Sequence, residues 1–189
     1  MNTIFVKSME YSDHELLEQF RNEDTRNVAF NQLMRKYQQR IYWHIRKIVI
    51  DHDDANDIVQ NTFIKVWKSL EGFREDSQFY TWLYRIATNE SITFLNQKKR
   101  KSFISFHDVE YEMSSQLTND VYFSGDRIQL KLQQAILKLP RQQRIIFNMK
   151  YFDNMKYEEI SEILEVTVGA LKASYHHAVK KIEKYIQLN

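Results

Sequence analysis

Three glycines and one proline in 189 residues leave little material for tight turns between strands. Those turns depend on residues free to take positive φ or carrying a preset φ. Helix is therefore the predicted state of most of the chain. From Val28 to Val49, the apolar residues Phe30, Met34, Tyr37, Ile41, Ile45 and Ile48 recur at steps of three and four, which puts them on one face of a long helix. Asp51 to Asp54 interrupt that face, and Asp53 or Asp54 is expected to cap a second helix, with Val59, Phe63, Val66, Trp67 and Leu70 as its apolar stripe. Gly72 and the polar residues up to Gln78 predict a loop. Ser77 is placed to cap a third helix, Phe79 to about Lys99, whose core face is Phe79, Leu83, Ile86 and Phe94, with Tyr80, Tyr84 and Arg85 on other sides.

Periodicity fails between Ser102 and Asp126, where Ser, Asn, Asp and Gly accumulate among scattered aromatics: Phe103, Phe106, Tyr111 and Tyr122. A stretch that long without periodicity is uncommon inside one compact unit, so it divides the chain. The expectation is an all-α protein of two small helical domains, residues 10–101 and 127–189, joined by a flexible linker over 102–126. In the second domain a helix from Arg127 to Leu139 is stopped by Pro140, which disfavours helical geometry in the residue before it. Periodic segments follow at Gln142 to Tyr151, Tyr157 to Leu164 and Val168 to Ile186, and the short break at Glu165 to Thr167 has the length of a helix-turn-helix turn.

Composition narrows the function by exclusion. Without cysteine the chain has no disulfide, thiolate zinc site or thiol sensor. No apolar run approaches the roughly 20 residues of a membrane span, and the first ten residues lack the pattern of a secretory signal, so a cytoplasmic protein without membrane insertion is expected. No phosphate loop, metal-spaced cluster or nucleophile signature points to an enzyme, a cofactor, a metal or a small-molecule substrate. A net charge of +2 is too small to argue nucleic-acid binding. Local charge is more telling, because Lys98, Lys99, Arg100 and Lys101 run unbroken, and aromatic and basic residues interleave from Phe73 to Arg85.

Two stretches resemble a known family. The run Asp54-Ala55-Asn56-Asp57-Ile58-Val59-Gln60-Asn61-Thr62-Phe63, then Phe73-Arg74 and Phe79 to Asn89, resembles region two of extracytoplasmic-function sigma factors. Leu139-Pro140-Arg141-Gln142-Gln143-Arg144, Tyr157-Glu158-Glu159-Ile160-Ser161 and Val168-Gly169-Ala170-Leu171-Lys172 resemble region four. The matches span residues 13–186 in the family's order. The resemblance implies a subunit that binds core RNA polymerase and promoter DNA, and is held in check by an anti-sigma factor.

On that resemblance, Asp57, Gln60, Asn61, Thr62 and Ile64 are expected to dock on the polymerase, an exposed Ile64 suiting the apolar centre of a polar-rimmed interface. Phe73, Arg74, Ser77, Tyr80, Trp82, Tyr84, Arg85 and Asn89 are expected to hold the melted minus-10 element, since aromatic faces stack on any unpaired base. Lys98, Lys99 and Arg100 are expected to meet its phosphates. Arg144, Tyr157, Lys172, Ser174, His176, His177 and Lys180 are expected at the minus-35 element, where a helix from Val168 enters the major groove.

The sequence departs from the family at Glu165, where the turn usually has glycine, and at Ser174 and His177, positions often held by arginine; Ala170 and Ala173 replace hydroxyl residues. The other reading left standing is a stand-alone helix-turn-helix regulator, which explains residues 127–189 but gives the first domain's docking face no role.

Overall fold

Ser12 starts the first helix, α1 (Asp13–Arg21), by accepting from the amide of Glu15, whose carboxylate reaches back to the Ser12 amide at 2.7 Å. The computed structural model describes residues 11–101, 113, 115, 117 and 127–188. Leu16, Leu17 and Phe20 of α1 pack on α2 (Arg26–Val49), which buries Phe30, Leu33, Tyr37, Ile41, His44, Ile45 and Ile48. The Tyr37 hydroxyl donates to Asp13, and burial together with that bond pushes the phenol well above its ordinary range.

A one-residue bend at Ile50 (φ 68°, ψ −43°) and a cap at Asp51 then reverse the chain into α3 (His52–Ser69). The Asp51 carboxylate accepts from the Asp54 amide at 2.8 Å, so Asp51, and not Asp53 or Asp54, is the cap. The Asp51 amide donates to the Val49 carbonyl, closing a γ-turn about Ile50. For a β-branched residue this left-handed geometry costs roughly 1–3 kcal/mol. Burial of Ile50 against Met113, Leu117 and Leu137 offsets it.

A single 3-10 turn (Leu70–Gly72) and a loop lead to α4 (Phe79–Lys101). Gln78, not Ser77, occupies the cap position, its carbonyl accepting from the Trp82 amide. The rear half holds α5 (Arg127–Leu137), α6 (Arg141–Tyr151), α7 (Tyr157–Leu164) and α8 (Val168–Leu188). Pro140 precedes α6, where a missing N–H costs nothing. Thr167 caps α8 through the Ala170 amide.

Glu165 closes α7 in the left-handed conformation at φ 56°. Glycine reaches that conformation without a Cβ penalty. Glu165→Gly is therefore expected to stabilise the chain by up to about 1 kcal/mol, read as a higher urea midpoint. An unchanged or lower midpoint would show that the turn is not strained.

The chain has the two helical domains that the sequence predicts, and the two touch. Helix α7 lies against α4, and α6 against α2. Ile145, Met149, Met155, Ile160, Ile163 and Leu171 of the rear half belong to the same buried cluster as the front half's core. Within the segment expected to link them, Met113 and Leu117 are buried; Phe103, Phe106, Tyr111 and Tyr122 lie outside the described residues.

Candidate polymerase and promoter interfaces

On the outer side of the α2–α3 hairpin, Phe30, Met34, Val59, Phe63, Ile64 and Trp67 line an apolar groove of about 430 Å³, edged by the amides of Gln38, Asn56 and Gln60. Trp67 meets Phe20 and Phe30 edge-on at 5.2 and 4.9 Å, so the floor is braced by aromatic contacts. Ile64 is 45% exposed, an aliphatic side chain left uncovered at the groove's edge. Asp57, Gln60 and Asn61 are exposed on the same helix. Thr62 is not part of this surface: it is fully buried, and its hydroxyl donates to the Ile58 carbonyl at 2.7 Å.

The face expected to hold bases is only partly open. Trp82 is half-buried, with Phe73 at 4.8 Å and Phe79 at 5.9 Å behind it, so it presents one side of its ring. Phe73 is itself buried at 7% exposure and supports Trp82 from within. Tyr84 is 1% exposed, between the rings of His44 at 4.7 Å and Tyr80 at 4.4 Å; burial drives its phenol far above the ordinary range. Both were expected at the DNA, and both are core: Tyr84 because α4 is covered by α2 and α3 on one side and by α7 on another, and Phe73 because the turn before α4 packs it on Phe79 and Trp82. Tyr80 is half-buried under the Arg40 guanidinium, 5.0 Å from its ring. Arg74 and Asn89 are exposed and Ser77 partly so. Arg85 donates to the Glu162 carbonyl at 2.6 Å. Lys98 reaches Asp54 at 3.1 Å, which ties α4 to α3, while Lys99 and Arg100 stay exposed.

In the rear half, α7 and α8 form the helix-turn-helix. Lys172 lies 5.7 Å from the Tyr157 ring, and Lys150 lies 5.0 Å from it, so two cations flank one aromatic. His176, His177 and Lys180 are exposed on α8, and Ser174 is partly so. Arg144 is 3% exposed inside α6 and does not share that face.

Sequence reasoning missed one constellation entirely. His44 is fully buried; its Nε2 is 2.9 Å from the Thr88 hydroxyl, which donates to the Tyr84 carbonyl, and its Nδ1 is 3.1 Å from Asp153. Both ring nitrogens thus have a polar partner. Lys47 adds a second bond to Asp153 at 2.8 Å. Burial pushes the Asp153 carboxyl up, but the bonds and charges of His44 and Lys47 outweigh it and hold the group below the usual carboxylate range. The stabilisation is complete above the ordinary value of about 4 and fades as pH falls through the depressed one. The core-facing position of His44 beside Ile41 and Ile45 was the only local signal.

Comparison with known proteins matches this architecture. Residues 33–101 match sigma-70 region 2, and residues 129–182 match sigma-70 region 4. The RNA polymerase sigma-H factor of Pseudomonas aeruginosa is 32% identical over 183 residues, covering 93% of this chain and 94% of the relative. The ECF RNA polymerase sigma factor SigW of Bacillus subtilis is 32% identical over 167 residues, 84% of this chain and 89% of its own. Among solved structures, CnrH in complex with the cytosolic domain of CnrY superposes with a TM-score of 0.67 at 22% identity over 94% of this chain and 98% of that one. The sigma factor RpoE of Bartonella quintana, solved with the anti-sigma factor NepR, gives 0.65 at 17% identity over 85% and 98%. The chain belongs to the extracytoplasmic-function subfamily of the sigma-70 family, and is an alternative sigma factor that directs promoter-specific transcription by RNA polymerase.

Proposed function

We propose a division of labour along the chain: residues 10–101 bind core polymerase and open the promoter, residues 127–189 read its upstream element, and 102–126 connect them. The observation that carries the first part is the preformed apolar groove with Ile64 uncovered at its edge. A groove of this kind suits an amphipathic partner helix, whose apolar side chains fill it while Asp57, Gln60 and Asn61 meet its polar flank.

The minus-10 strand meets Trp82 and Tyr80, with Arg74, Arg85 and Asn89 beside them and Lys99 and Arg100 on the phosphates. Trp82 has the geometry for stacking because Phe73 and Phe79 fix its ring before a base arrives. The minus-35 element meets Lys172, Ser174, His176, His177 and Lys180 of α8. With Ser174 and His177 where arginines would form bidentate contacts, base readout there rests on fewer fixed positive forks. The protein acts in the cytoplasm with the polymerase and performs no covalent chemistry. A protein partner of the kind seen with CnrH and RpoE holds it inactive. A stand-alone regulator has no use for the groove and is not favoured.

The direct test is transcription of genomic DNA by purified core polymerase with and without the chain, mapped to start sites; no new starts would end this reading. For the melting face, Trp82→Ala is expected to spare core binding and lower the permanganate reactivity of promoter thymines about tenfold, the loss of roughly 1–3 kcal/mol of stacking. Undiminished reactivity would remove Trp82 from melting.

A further inference from the structure

We propose that the isolated chain rests closed, with the rear half lying over the base-holding face of α4, and that the Asp153 carboxylate between His44 and Lys47 is the latch that must release before DNA enters. The proposal rests on the assignment of that face to unpaired bases.

Asp153 follows α6 in the rear half, while His44 and Lys47 lie on one side of α2 in the front half. One rear carboxylate therefore pairs with two front side chains, the His44 ring and the Lys47 ammonium. Beside it, the Asn148 side-chain amide donates to the Lys47 carbonyl at 3.2 Å, and Arg141 donates to Asn96 of α4 at 2.7 Å. These polar contacts cross an apolar seam, where Ile145 and Ile163 join the front core.

Closure changes what α4 offers to DNA. The Arg85 guanidinium is committed to the Glu162 carbonyl, and its Nε is buried without a hydrogen-bond partner. Glu158, Glu159 and Glu162 edge the cleft that Ser77, Gln78 and Thr81 line from the front half. Asp13, Glu75 and Asp76 of the front half line the same cleft, so closure adds three carboxylates to three already there and opposes a phosphate backbone by charge as well as by bulk.

The polar contacts across the apolar seam centre on one acid, Asp153. Removing the carboxylate leaves the Lys47 charge and the His44 ring nitrogen without their partner in the closed chain, whereas in an open chain both regain water. Asp153→Lys should therefore favour opening. Pairing it with Lys47→Glu restores opposite charges and should restore closure, which a merely structural role for Asp153 would not predict.

The chain has no cysteine, so spin labels can be attached at Gln39→Cys and Glu183→Cys, both exposed and outside the proposed interfaces. Pulsed electron resonance on the full chain should give one narrow distance for the parent, a longer and broader distribution for Asp153→Lys, and a return to the narrow distance for the double exchange. Affinity for a labelled oligothymidylate should rise about tenfold on opening if the competent fraction climbs from about a tenth to near one. A broad parent distribution, an unmoved distance in Asp153→Lys, or opening without gain in affinity would each overturn the proposal. The first two would leave base holding intact, to be judged by Trp82→Ala in the holoenzyme. A gain that survives Trp82→Ala in the opened chain would instead refute base holding, and masking with it.

Discussion

Replacing Ile64 with glutamate is expected to weaken association with core RNA polymerase by about 30-fold or more, while leaving the fold intact. The two halves of this expectation have separate physical origins. At 45% exposure Ile64 contributes little to the chain's own core, and a surface substitution of this kind costs about 0.5 kcal/mol or less. In the complex the same side chain would lie at the edge of an apolar groove, where a carboxylate must give up water against apolar side chains. The loss of an interface anchor of about 2 kcal/mol or more corresponds to that factor. Fluorescence anisotropy against purified core enzyme, with a urea titration alongside, measures both. Undiminished affinity would move the docking surface elsewhere.

Tyr84→Ala is expected to have the opposite signature. Its ring is 1% exposed and held between His44 and Tyr80, so truncation leaves a cavity costing about 3–5 kcal/mol, comparable with deletion of other large aromatic side chains. Urea unfolding should shift to a much lower midpoint, while Tyr84→Phe keeps most of the stability. A variant that kept the parent's midpoint but failed to open the promoter would return Tyr84 to the DNA and overturn its assignment to the core.

Tyr84 also marks where the sequence stopped being legible. Periodicity fixed the long helices to within a few residues, since each has one dominant apolar stripe and a local terminator. The capping pair Ser12 and Glu15 was equally readable and was overlooked. For α4, however, a single-stripe reading fails because helices cover it on two sides, which takes in Tyr84. Thr62 and Arg144 mislead for a related reason: each is polar yet lies inside, Thr62 by bonding its own helix. The His44 and Asp153 pair is separated by 109 residues, and no local pattern records such a partner.

That separation has a consequence for how the chain is born. Residues up to 101, including the whole α2–α3 groove and α4, leave the ribosome before Asp153 has been translated. At about 5–20 residues per second, the interval is roughly 3–10 seconds, long compared with the folding of a small helical unit. Throughout that window the nascent α4 carries no rear half against it, so the contacts of α7 with α4 and of Asp153 with His44 and Lys47 form only after the front half has emerged.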